Sequence, residues 1–185
     1  MAAKDVSVVL VHGAWPDGSS WARVITALKA EAVNVSATPL PLTSLADDVA
    51  ALNRSLDRTE GPIVLAGHAY AGAVIALARP ERVKALVYVT ALAPDEGEKV
   101  ADVFYRLPPH RQAPKLAPDR DGLIWLPEDA FATAFAQNAS GGSSRTRCRA
   151  AADLAELHHR SSRAAALEGR SKLVSGCRGR PDDRP

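Results

Sequence analysis

The chain has 185 residues, 46% of them apolar, and a formal charge of +2, a length and composition that suit one domain with a sizeable core. The near-neutral balance leaves no electrostatic footprint for nucleic acid, and no stretch approaches the roughly 18 apolar residues of a membrane span. Met1 to Leu10 holds too short an apolar run for a signal peptide, and Cys148 and Cys177 share a polar tail without metal-ligand spacing, so a reduced cytoplasmic setting with no metal or cofactor is expected.

Residues 6–11 (VSVVLV) read as a buried strand, followed by the loop His12-Gly13-Ala14-Trp15-Pro16-Asp17-Gly18. Ser19 or Ser20 is placed to cap a helix whose apolar face is Trp21, Val24, Ile25 and Leu28. Residues 33–37 alternate polar and apolar, as in a strand near a sheet edge, and Pro39 and Pro41 end it. Ser44 opens a second helix with Asp47 and Asp48 in its first turn, where carboxylates meet the positive end of the dipole. Its core stripe is Leu45, Val49, Leu52 and Leu56.

Residues 63–66 (IVLA) suit a strand buried on both faces, and residues 73–77 (AVIAL) suit a helix packed on a sheet. Only Gly67-His68-Ala69-Tyr70-Ala71-Gly72 lies between them. So short a passage needs a sharp turn with small residues beside its apex, Ala69. The hexapeptide alone equally suits an ordinary strand–turn–helix. Residues 84–92 (KALVYVTAL) give a fourth strand, with its centre at 84–90, and Pro94 stops it. This alternation predicts a parallel sheet covered by helices, with right-handed crossovers.

From Pro94 the rhythm changes. Val100, Val103 and Phe104 fit a short helix, Leu123 to Leu126 form an apolar patch, and Phe131 and Phe135 share a helix face. Residues 94–140 read as a lid over the carboxyl edge of the sheet, closing a unit of residues 1–140. Charge then changes sign. Residues 1–140 carry 13 basic and 16 acidic side chains; residues 141–185 carry 10 and 5, nine of the ten basic ones arginine, with no Phe, Trp or Tyr. The tail reads as partly helical over 150–167 or disordered, with Leu173-Val174 its longest aliphatic pair.

Three stretches, VSVVLVHGAWPDGSSW, GHAYAG and KALVYVTALAPDEG, together resemble the α/β-hydrolase superfamily, and most nearly its small esterase-like branch of methylesterases and hydroxynitrile lyases. The resemblance runs from about Val6 to Ser140. It implies a three-layer, doubly wound parallel sheet of about four strands with a helical lid. It implies the spatial order second, first, third, fourth, and a C-terminally incomplete fold. GHAYAG stands where that family has the G-x-S-x-G nucleophile elbow, with Ala69 in place of serine. By resemblance the backbone N–H groups of Ala14 and Tyr70 form an oxyanion hole. Trp15, His68, Phe104, Trp125 and Phe131 are expected near a pocket.

The departures set the functional expectation. A methyl group cannot attack a carbonyl. The resemblance also implies two strands after the lid that carry the acid and the histidine, and no buried strand is evident after Ser140. Of His12, His68, His110, His158 and His159, none stands at the catalytic position. The first reading is an esterase-like protein without serine hydrolase activity that binds a small apolar or ester-like ligand. A second is an enzyme that uses the oxyanion donors with His68 for proton transfer. A third is an interaction protein acting through its basic tail. The tail composition also fits a shifted reading frame from about Gly141. Without later strands, residues 84–90 would be an apolar sheet edge that invites self-association.

Overall fold

The computed structural model describes residues 6–78, 81–135, 149–151 and 172–175. Among them the chain order is β1 (Ser7–Val11), a single 3-10 turn (Gly18–Trp21), α1 (Ala22–Ala30), β2 (Asn34–Thr38), α2 (Leu45–Asp57), β3 (Ile63–His68), α3 (Ala71–Ala76) and β4 (Val83–Val89). There follow α4 (Val100–Phe104), β5 (Leu123–Trp125), α5 (Glu128–Ala130) running into a π-turn (Phe131–Phe135), β6 (Arg149–Ala151) and β7 (Lys172–Ser175).

The main sheet has the order β2-β1-β3-β4-β7, and every pair in it is parallel. The four expected strands thus lie in the expected order, with β1 and β3 interior. Ser7 stands level with both Asn34 and Ile63, so the carboxyl ends of β1, β2 and β3 finish at one edge. Strand alternation sends Val9, Val11, Ile63, Leu65, Leu86 and Tyr88 to one face, under α2 and α3. Leu10 and Ala66 go to the other face, where Trp21 and Ile25 cover them. The result is the α/β/α layering of the α/β-hydrolase fold.

α2 matches its sequence signals. The Ser44 hydroxyl accepts from the Asp47 N–H at 3.1 Å, and Leu45, Leu52 and Leu56 are buried with Val49 packed alongside. α1 departs from them. Asp17, not a serine, caps the preceding turn by accepting from the Ser19 N–H at 2.8 Å. Trp21 therefore leaves the helix and seats in the core, while Val24 stays 39% exposed. No helix among the described residues is long and apolar enough to cross a membrane.

The tail brings two corrections. Lys172–Ser175 forms a parallel strand beside β4, with Val87 level with Leu173 and Val89 level with Ser175. β4 is consequently not a sheet edge. Its outer row of N–H and C=O groups finds a partner in the Leu173-Val174 pair, short as it is. Likewise Arg149–Ala151 pairs antiparallel with β5, so Ala150 and Ala151 belong to a strand where a helix was expected. The remainder of that expected helix, and His158 and His159, lie outside the described residues.

Candidate active site

Three loops meet at the carboxyl edge of the sheet: the one after β1, the turn after β3 and the exit of β4. The turn after β3 is a strained elbow. Ala69 has φ 51°, a left-handed conformation that costs an alanine about 1–2 kcal/mol. Its N–H donates to the Val89 carbonyl at 3.3 Å, and its carbonyl accepts from Gly72 at 3.1 Å and Leu92 at 2.9 Å. Neighbouring backbone explains the small residues. A β-carbon at Gly67 would lie 2.8 Å from the Ala71 carbonyl oxygen, and one at Gly72 only 2.1 Å from that of Leu92.

The loop after β1 abuts this apex. A β-carbon on Gly13 would sit 3.1 Å from the Ala69 methyl. The loop is held from below by His12, which is 2% exposed. Its Nδ1 donates to the Gly13 carbonyl at 2.8 Å, and its Nε2 accepts from the Leu40 N–H at 3.0 Å, so the ring carries its proton on Nδ1. Among the described residues, the N–H groups of Ala14 and Tyr70 have no protein acceptor.

Tyr70, next after the apex, is anchored through its side chain. Its hydroxyl donates to Asp48 Oδ2 at 2.7 Å, and the Leu42 N–H donates to Asp48 Oδ1 at 2.8 Å. Asp48 is fully buried, and that burial holds its carboxyl above the ordinary range despite both hydrogen bonds. Burial and the adjacent carboxylate push the Tyr70 phenol far upward. Sequence reasoning placed Asp48 only at a helix start. Its i+4 spacing from Ser44 and its place between Leu45 and Leu52 were the signal that it faces inward.

The expected pocket residues separate into groups. Trp15, at φ 72°, donates its indole N–H to the Ile124 carbonyl at 3.2 Å and meets Phe135 edge-on at 6.1 Å. Phe131 leans on Phe135 at 5.2 Å, so Trp15 and Phe131 belong to one aromatic cluster that joins the lid to the β1 loop. Phe135 and Ile124 complete it and were not among the expected residues, although the i, i+4 spacing of the two phenylalanines was visible. His68 stands outside that cluster but beside the apex, its Nδ1 3.4 Å from where a β-carbon on Gly13 would sit; it is half-buried and edge-on to Trp21 at 6.3 Å, and burial lowers its pKa. Phe104 packs on Tyr105 at 4.9 Å, and Trp125 donates to Asp119 Oδ2 at 2.7 Å. Both are 44% exposed, and among the described residues neither touches the cluster with its ring.

Among the described residues no histidine hydrogen-bonds a carboxylate. His110, in the lid, accepts from the Gln112 N–H at 3.2 Å. The apex residue itself offers a methyl group, which cannot attack a carbonyl.

Comparison with known proteins agrees with the fold. Polyneuridine aldehyde esterase superposes with a TM-score of 0.74 at 18% identity, covering 92% of this chain and 79% of that one. An extracellular α/β-hydrolase from a Paenibacillus species, described as sharing homology with tobacco salicylic acid binding protein 2, gives 0.71 at 21%, covering 91% and 77%. A variant of tomato methylketone synthase I complexed with β-ketoheptanoate gives 0.70 at 16%, covering 92% and 78%. No curated protein sequence matches significantly. The family model for the alpha/beta hydrolase family matches residues 8–182, spanning the elbow, the lid and the arginine-rich tail, and the chain belongs to that family.

Proposed function

We propose that this protein binds a small, partly apolar molecule through a carbonyl or carboxylate oxygen and does not work as a serine hydrolase. The observation that carries this reading is the elbow. Ala69 keeps the strained φ of 51°, and the flanking Ala14 and Tyr70 N–H groups have no protein acceptor among the described residues. Strain kept at a loop apex is a signature of functional sites. The acceptor oxygen would sit above the apex, and the Trp15–Phe135–Phe131 cluster would supply apolar contact from the lid side. A structural neighbour gives the ligand class some support, since β-ketoheptanoate carries a ketone, a carboxylate and an alkyl chain. On this reading His68 packs edge-on against Trp21 and carries no proton-transfer step.

The test uses phenylacetate and phenylacetone as probes with the full chain. Titration followed by heteronuclear NMR should move the Ala14 and Tyr70 amide signals first. p-Nitrophenyl acetate should give no acylation burst, and a fluorophosphonate should leave position 69 unlabelled. A burst, or amide signals at Ala14 and Tyr70 that stay still at saturating probe, would overturn the reading.

A further inference from the structure

Asp48 has a place that neither helix capping nor catalysis explains. At the start of α2 the capping work falls to its neighbour. Asp47 accepts from the hydroxyls of Ser44 and Thr43 at 2.8 Å each, and its N–H donates to Ser44. Asp48 turns the other way and is fully buried. A buried carboxylate costs stability unless its oxygens are satisfied. Here one oxygen takes the Leu42 N–H and the other takes the Tyr70 hydroxyl.

The Leu42 contact joins two halves of a larger chain of bonds. Leu40, two residues earlier, donates to His12 Nε2, and His12 in turn donates to the carbonyl of Gly13. The stretch from Leu40 to Leu42 is therefore bonded on one side to the residues preceding Ala14. On the other side it is bonded, through Asp48, to Tyr70. Leu40, Leu42, His12 and Asp48 are all at most 8% exposed, and Leu42 has φ 55°, so the stretch is a strained strap anchored by two buried leucines on either side of the exposed Pro41. Ala14 and Tyr70, at its two ends, have N–H groups without a protein acceptor among the described residues.

We propose that Leu40–Leu42 is a brace that sets the spacing of the two oxyanion donors, and that Asp48 is its positioning residue. The proposal rests on the binding reading above and adds the device that makes the donor pair rigid. Donors fixed in advance hold an oxygen without reorganising, which is what gives such a site its strength. The β2–α2 connection, remote from the apex in sequence, thereby controls affinity at the apex.

Three variants test it: Tyr70→Phe, which keeps the ring and removes the hydroxyl, Asp48→Ala and Asp48→Asn. Asparagine retains an acceptor for Leu42 and offers an N–H to the Tyr70 oxygen, so it should rescue. Phenylacetate affinity should fall about tenfold in Tyr70→Phe and Asp48→Ala and stay within about threefold in Asp48→Asn. Wild-type affinity in folded Tyr70→Phe and Asp48→Ala would overturn the proposal, since a merely structural aspartate would lower the melting temperature and leave affinity alone. A second readout is independent of ligand. The order parameters of the Ala14 and Tyr70 amides, near the rigid value of about 0.85 in the parent, should fall together in Tyr70→Phe and Asp48→Ala. If the parent fails to bind phenylacetate, the binding reading falls while the order parameters still decide the brace. Unchanged order parameters at both amides would end it.

Discussion

At the apex of the turn after β3, Ala69 keeps a left-handed backbone held by bonds to Val89, Gly72 and Leu92, so an alanine carries the local strain. Ala69→Gly should relieve that strain and, after the entropy that glycine adds to the unfolded chain, stabilise the protein by about 0.5–1 kcal/mol in urea unfolding. A destabilised variant would mean that the Ala69 methyl packs usefully against the β1 loop. Two buried titratable residues give opposite pH signatures. Burial lowers the His68 pKa, so the unfolded chain binds the proton more readily, and stability falls as pH drops below 6.5. Burial raises the Asp48 pKa, so the folded chain binds its proton more readily, and stability rises as pH falls through that raised value toward 3.8. His68→Gln should therefore flatten the decline that begins near 6.5, and Asp48→Asn should remove the gain nearer 3.8, both read from urea midpoints across pH. A His68→Gln profile parallel to the parent's would refute the first assignment.

Elements were legible in the sequence where one signal decided them. α2 had a cap, first-turn carboxylates and an unbroken stripe, and it forms over Leu45–Asp57 as those signals imply. β1 and β3 were continuous apolar runs and are interior strands. The site was less legible, because its parts are tertiary. His12 was visible as part of the loop after β1, but its partner Leu40 lies 28 residues away, and the Tyr70–Asp48 bond spans 22. No local pattern announces such pairs. α1 was misread at its start because Trp21 suits both the first turn of a helix and a core plug, and the Leu10–Ala66 surface chose the second. Phe104 and Trp125 were assigned to the pocket by size and apolarity alone. Their exposure reflects contacts with Tyr105 and Asp119, both local to their own loops, that composition cannot foresee.

At the scale of the whole molecule, the tail decides how the sheet ends. The sequence changes character at Gly141, where arginine rises and aromatics vanish, and that change fits a shifted reading frame. Two observations bear on how the tail meets the fold: the family match runs on to residue 182, and β7 pairs with β4 along Leu86–Val89. β7 therefore pairs along the outer side of an apolar strand. The backbone of β4 is satisfied on its β3 side by the ladder from Ile63 to His68, and on its outer side by the four residues of β7. Removing residues 172–185 would free the outer row of N–H and C=O groups along a strand of sequence VKALVYV. Such an edge carries a single charge, Lys84, and no proline, which is little protection against pairing with a second copy. The shortened chain should therefore form dimers or larger species in sedimentation velocity, in a concentration-dependent way, while the full chain does not. Replacing Val87 with lysine in the shortened chain should restore the monomer, because a charge in the middle of a free edge opposes strand addition. A shortened chain that stays monomeric without that lysine would mean that β7 does not guard the edge.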